Sequence, residues 1–209
     1  MSTLEELLQE SAARHQHLCP RQVLGVRMGM LAAQLLNLPL PQQDKRLITI
    51  VETVGCAIDG IAVATGCWVG RRTMRVLDFG KVAATFIDTE TGKAVRIVPS
   101  AVSRLQAPNY APAAKNRWEA YLLGYQCMPD EQLLEYRWVE LAFPIEQLLG
   151  KDGYRVNCEI CGEEIINKQE VIREESILCR SCAGECYYQP ILSPPCNDLE
   201  FLQDHSKLP

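Results

Sequence analysis

Apolar residues recur at helical spacing along the first forty positions. Leu4, Leu7, Leu8 and Ala12 fall on one face, and Ser2-Thr3-Leu4-Glu5 reads as a capping box, so the pattern predicts an amphipathic helix that starts directly after Ser2 and ends near Arg14. Pro20 suits the first turn of a second helix that runs to about Leu36 and stops before Pro39 and Pro41. Val23, Leu24, Val26, Met28, Leu31 and Leu35 surround that helix nearly completely, which predicts burial. Gly25 and Gly29, one turn apart, predict a close approach by another backbone.

The period then changes. Arg46 to Glu52 is a β-branched run of strand length, followed through Gly55 by a short apolar helix from Cys56 to Ala64 that closes at Gly66. Met74 to Asp78, Val82 to Asp88 and Ala94 to Val98 read as strands, the last two joined by a hairpin turn at Thr89-Glu90-Thr91-Gly92. Ala107 to Ala114 reads as a loop, Lys115 to Cys127 and Asp130 to Tyr136 as helices, and Trp138 to Phe143 as one more strand. The expected class is α+β, with helices packed on a small, mainly antiparallel sheet. Lys151-Asp152-Gly153 marks a turn and a change of composition, since six of the ten cysteines lie beyond it. We therefore expect a core domain over residues 1–150, a small cysteine-rich domain over 151–188 and an extended, proline-containing tail over 189–209.

Composition narrows the function classes. Of 209 residues, 22% are charged and 47% hydrophobic, which excludes disordered, collagenous and coiled-coil chains. The longest apolar stretch, Val23 to Leu40, is interrupted by Arg27, Gln34 and Asn37, and the acidic amino end has no basic region before an apolar one. Neither a membrane span nor a signal peptide is expected. Ten cysteines without a secretory signal point to metal or thiol chemistry in the cytoplasm rather than to a disulfide framework. A net charge of −5 disfavours nucleic acid as a partner.

Cys158-x-x-Cys161 and Cys179-x-x-Cys182, seventeen residues apart, have the spacing at which two thiolate pairs close a tetrahedron around Zn²⁺. Gly162 permits the tight turn after the first pair. A module this small cannot bury enough apolar surface to fold alone, so bound zinc would supply most of its folding free energy. The expected fold is a zinc-ribbon or treble-clef-like domain built on four cysteines. Between Lys151 and Glu185, five basic residues face eight acidic ones, which favours protein contacts over DNA. Cys186 and Cys196 have no evident partner and read as ordinary thiols, and Cys127 reads as a buried small hydrophobe.

The second cluster lies near the amino end. His15-Gln-His17-Leu-Cys19-Pro20 holds two of the three histidines beside a cysteine, between two predicted helices. Pro20 keeps Cys19 out of helical geometry, which places its thiol at the positive end of the second helix as a ligand or nucleophile candidate. Cys56 occupies the same kind of strand-to-helix turn, with Asp59 one turn on. Cys67 lies eleven residues further, roughly 16 Å along a straight helix, too far to share an ion with Cys56 unless the helix is short or bent.

Those residues, together with Leu24-Gly25-Val26-Arg27-Met28-Gly29, Glu52 to Cys56 with Ala57-Ile58-Asp59, Thr65-Gly66-Cys67 and Asp78-Phe79-Gly80-Lys81 through Phe86, resemble the FmdE family. Members of that family are described as a component of the molybdenum or tungsten formylmethanofuran dehydrogenase. The likeness covers most of residues 10 to 190. Gln16 and Arg21 stand where the family pattern usually has glycine, and Arg21 is bulky enough to narrow a site beside Cys19.

The resemblance implies an α+β core whose histidines and cysteines line a cavity that can bind metal, and a homodimer. On that footing His15, His17, Cys19, Cys56 and Cys67 are the candidate core metal site, with Cys19 and Cys56 as the candidate catalytic thiols. Imidazole and thiolate suit Zn²⁺ or Ni²⁺. Asp59 can orient a histidine, and Lys81 can reach an anionic cofactor or ligand. The expected function is that of a metal-binding accessory subunit of a molybdenum or tungsten oxidoreductase complex. The alternatives are a free-standing metal- or thiol-dependent enzyme on a small substrate, and a zinc-module regulator. The sequence leaves open whether the chain catalyses anything alone.

Overall fold

A computed structural model describes residues 2–149 and 153–189. The chain divides into two compact units, Met1–Leu149 and Gly150–Pro209. The tail beyond residue 189, with Cys196, lies outside the described residues. Among the described residues no helix is long and apolar enough to cross a membrane.

Helix α1 (Leu4–His15) begins one residue later than its capping signature suggests. Thr3 is the cap: its hydroxyl accepts from the Glu6 amide at 3.2 Å, and its own amide donates to the Glu6 carboxylate at 2.8 Å. Gln16 closes the helix in left-handed conformation. Helix α2 (Pro20–Leu36) starts from an extended Cys19, whose amide donates to Gln22 Oε1 at 2.7 Å, and Gln22 also reaches Ser11 of α1. Strand β1 (Leu47–Val51), helix α3 (Ala57–Thr65) and strand β2 (Met74–Val76) form a parallel crossover unit.

The glycines explain how α2 and α3 meet. A Cβ on Gly25 would lie 2.2 Å from the Ala57 carbonyl oxygen, and one on Gly60 would lie 2.2 Å from that of Gln22. Each helix presses its backbone onto the other where neither carries a side chain. This contact sets the two helix N-termini, and with them Cys19 and Cys56, beside each other.

Strand β3 (Ala84–Asp88) pairs antiparallel with β1 and strand β4 (Ala94–Pro99) antiparallel with β3, giving, with strand β5 (Leu134–Val139) beyond β4, the order β2-β1-β3-β4-β5. Helix α2 packs against β3 and β4, and its Val23, Val26 and Met28 share one buried cluster with Phe86, Val95 and Ile97. Ile48, Ile50, Ile87 and Ala94 pack with Leu148 in a separate cluster. Burial on both faces leaves every residue of β1 buried, Thr49 included, and accounts for the lack of a polar–apolar alternation along it.

The carboxy half of this unit differs from the sequence expectation. After the short helix α4 (Ser103–Gln106), a 3₁₀ turn (Ala107–Tyr110) and helix α5 (Arg117–Cys127), the helical turn α6 (Asp130–Leu133) stops short of Tyr136, and the strand expected over Trp138 to Phe143 instead runs from Leu134 to Val139 as β5. Its pairing with β4, from Pro99↔Leu134 to Ala94↔Val139, overrides the helical reading of Glu135-Tyr136. Buried Arg27 closes this region by donating to the Tyr125, Gln126 and Met128 carbonyls and to Asp130. Glu146–Leu149 forms a last turn, α7.

The second unit consists of two hairpins, β6 (Arg155–Asn157) with β7 (Glu164–Ile166) and β8 (Val171–Arg173) with β9 (Ser176–Leu178), and a helical turn over Ser181–Glu185. Its small core of Cys158, Ile165, Leu178 and Ala183 surrounds the cysteines.

Candidate functional site

In the second unit the first cysteine pair sits in the β6–β7 turn, where the Cys158 amide donates to the Glu163 carbonyl and the Gly162 amide to the Cys158 carbonyl, both at 2.9 Å. Gly162 takes a left-handed φ of 75°, the conformation the tight turn requires. The second pair follows β9, and the Cys182 amide points at Cys179 Sγ, 3.4 Å away. All four sulfurs lie within 4.8 Å of one another, with Cys161 and Cys179 at 3.9 Å. Backbone N–H groups of Cys161 and Cys179 draw the Cys158 thiol down to about 6, while the neighbouring Cys179 side chain pushes Cys182 up to about 12. Four thiols this close resist ionising together, and a cation removes the conflict.

The core unit carries a cavity of about 580 Å³. One part of its wall is the start of α2 (Cys19, Pro20, Arg21, Leu24) with Cys56 at the start of α3. The rest includes Pro99 to Arg104 and the side chains of Trp118, Tyr121 and Tyr125 on α5. Cys56 Sγ lies 3.3 Å from His15 Nε2, and His15 Nδ1 lies 2.9 Å from Asp59 Oδ2. A carboxylate only accepts, so Nδ1 carries the ring proton and Nε2 is left to accept from the Cys56 thiol. The result is a carboxylate–imidazole–thiol chain that ends on the cavity. Cys19 adjoins Cys56, and burial pushes its thiol up.

The structure gathers some of the sequence candidates and separates others. His15, Cys19, Cys56 and Asp59 come together. His17 is exposed and tilts against the His15 ring, with centroids 4.7 Å apart. Cys67 does not join them: α3 keeps its regular length, and Cys67 is buried at its far end, donating to the Leu47 carbonyl at 3.4 Å. Burial there pushes its thiol up. Lys81 is exposed and does not line the cavity; its amide donates to the Glu52 carbonyl. Arg96, with Lys81 contributing less, holds the Glu52 carboxyl below its usual range. Among the described residues, the donor groups of three or more that could hold an ion reduce to the distal cysteines, so the five core candidates do not form one ligand set. Cys127 is exposed, and Cys186 is exposed with its thiol on the Tyr188 carbonyl.

Sequence reasoning missed the α5 and Arg104 side of the cavity. A signal existed in Trp118, Tyr121 and Tyr125, which recur three and four apart, but such a stripe reads equally well as core.

Residues 14–135 match the family model described as "FmdE, Molybdenum formylmethanofuran dehydrogenase operon". The chain belongs to the FmdE family. The matched span begins one residue before His15 and includes every residue that lines the core cavity, whereas the four distal cysteines fall outside it. A crystal structure of a tungsten formylmethanofuran dehydrogenase FmdE-like protein from Syntrophus aciditrophicus superposes with a TM-score of 0.62 at 26% identity, covering 90% of this chain and 96% of that one. A probable S-adenosyl-L-methionine-binding protein of Archaeoglobus fulgidus is 30% identical over 208 residues, which is 89% of this chain and 55% of the relative. The chain therefore spans about half the length of that curated relative. As an FmdE-family protein it joins an α+β core to a four-cysteine cluster able to hold a metal ion.

Proposed function

We propose that this chain is a metal-binding accessory protein that works beside a molybdenum or tungsten formylmethanofuran dehydrogenase in the cytoplasm, as a homodimer. In this reading zinc fills the distal cluster, and Cys56 is a reactive thiol in the core cavity. The observation that carries it is the Asp59–His15–Cys56 chain opening on the cavity.

The donor set of the distal cluster fits zinc. Sulfurs at about 2.3 Å from a tetrahedral Zn²⁺ lie about 3.8 Å apart, close to the 3.9 Å between Cys161 and Cys179. Four thiolates leave no open position, so the ion supplies folding free energy rather than catalysis. In the core, Asp59 fixes the tautomer of His15, His15 accepts the Cys56 proton, and the open cavity admits an electrophile to the sulfur. Cys19 stands ready as a hydrogen-bond donor or as a second thiol.

A second reading places a soft metal ion between His15 and Cys56, whose donor atoms stand 3.3 Å apart, with ligands from outside the chain completing its coordination. Asp59 behind His15 favours it, because metal-bound histidines commonly donate their other N–H to a carboxylate.

Elemental analysis of chelator-free protein, combined with affinity capture from the native source, tests the proposal. We expect one zinc per chain, lost on Cys158→Ser, and a molybdenum or tungsten enzyme captured in comparable amount. A second ion that disappears in His15→Gln supports the metal reading of the core. Protein with no zinc and no captured oxidoreductase overturns the proposal.

A further inference from the structure

The charge on the cavity wall differs in sign from that of the molecule. The chain has a net charge of −5, yet its core cavity is lined by two arginines, Arg21 and Arg104, and by no aspartate or glutamate. Nearby carboxylates are already engaged: Asp59 holds His15, and Glu52 receives two hydrogen bonds from Arg96 at 2.6 and 2.7 Å. Arg21 and Arg104 make no ion pair among the described residues. In the same unit Arg27, Arg46 and Arg96 each meet a carboxylate, whereas Arg75 spends its guanidinium on the Arg72, Met74 and Leu148 carbonyls.

An aromatic surface stands beside these cations. Trp118 is 52% exposed although it lines the cavity, and Tyr121 stacks on Tyr125 with centroids 5.8 Å apart and planes within 6°. The Arg104 guanidinium sits 5.8 Å over the Tyr121 ring. A guanidinium held on an aromatic face and against the Tyr125 side chain stays oriented without being neutralised, so its remaining N–H groups are available to an anion. A half-open tryptophan next to a fixed stack offers a planar group a surface to cover. A cavity of about 580 Å³ is within the range that encloses a small organic ligand.

We propose that the cavity receives a ligand that combines an aromatic or heteroaromatic ring with an anionic group, the ring lying on Trp118 and Tyr121 and the anion facing Arg21 and Arg104. The proposal deepens the thiol reading of the same cavity, because it names the class of molecule that would be brought to Cys56. Binding is nevertheless read without any thiol reaction, so the two ideas fail separately.

The test uses two fluorescent probes with one ring frame, 8-anilinonaphthalene-1-sulfonate, which is anionic, and N-phenyl-1-naphthylamine, which is not. Both are titrated into the full, zinc-loaded chain. Arg21→Met and Arg104→Met each weaken the sulfonate by about fivefold and leave the neutral probe unchanged within about twofold. Trp118→Ala weakens both probes, and added salt weakens only the sulfonate. All three side chains are exposed, so the variants are expected to fold, and circular dichroism checks that they do. The proposal is overturned if the sulfonate fails to bind, if the double arginine variant binds it as the parent does, or if Trp118→Ala leaves both affinities unchanged.

Discussion

Replacing Gly60 by alanine tests how the two thiol-bearing helix starts are held together. The added methyl would lie 2.2 Å from the Gln22 carbonyl oxygen and 2.8 Å from the Val26 amide nitrogen. Both are backbone atoms of α2, so no side chain can turn aside. Reaching an ordinary contact of about 3.4 Å requires the helices to part by roughly 1 Å, in an interior packed to crystal density. Overpacking of this kind costs about 3 kcal/mol, and alanine's better helix propensity returns about 1 kcal/mol. The net expectation is a loss of about 2 kcal/mol, or a urea midpoint lower by about 1 M. Gly25→Ala meets the Ala57 carbonyl at 2.2 Å and should behave alike. Because one separation relieves both clashes, the double variant should lose less than the two single losses together. Gly70→Ala, with nothing within 4 Å of its new methyl, is the control and should change stability by no more than about 0.5 kcal/mol. Equilibrium urea unfolding followed by circular dichroism reads all four. If Gly60→Ala proves as stable as Gly70→Ala, the two helices are not held by this backbone contact.

Two further predictions concern charge and metal. Arg46 holds the Asp88 carboxyl down to about 2 from 3.8, so this pair stabilises the fold above pH 3.8 and the contribution fades as pH falls toward 2. Asp88→Asn should therefore cost about 2 kcal/mol at pH 7 and flatten the urea midpoint between pH 4 and pH 2; a parallel pH profile in the variant would contradict this. Stripping the distal cluster with a strong chelator should expose the amides of the β6–β9 hairpins to rapid hydrogen exchange, and zinc should restore protection; protection that survives demetallation would show that the hairpins stand without an ion.

Much of the fold was legible in the sequence because local signals and packing agreed. Pro20 and Gly66 mark real helix ends, and the two Cys-x-x-Cys pairs converge as their spacing requires. Where a local signal had an equal competitor one residue away, as with Ser2 and Thr3, register slipped. A strand was expected from Trp138, but the first part of β5 was hidden because Leu134 to Tyr136 becomes a strand only by pairing with β4, a contact that no local pattern encodes. In the site, His15 and Asp59 are forty-four positions apart, and their 2.9 Å contact depends on α3 docking beside the end of α1. Cys67 shared a residue type with the cluster, but helix length placed it elsewhere. The cationic wall was the least legible part, since Arg21 and Arg104 acquire meaning only once the cavity brings them together without an acid.

The most direct test of the thiol chain is the rate at which iodoacetamide alkylates Cys56 at pH 7, assigned by peptide mass spectrometry in the parent chain, in His15→Gln and in Asp59→Asn. Loss of the imidazole acceptor should slow Cys56 by about tenfold or more, and loss of the carboxylate should slow it by less, with alkylation of exposed Cys127 serving as the unchanged internal reference. Equal Cys56 rates in all three proteins would contradict a working Asp59–His15–Cys56 relay.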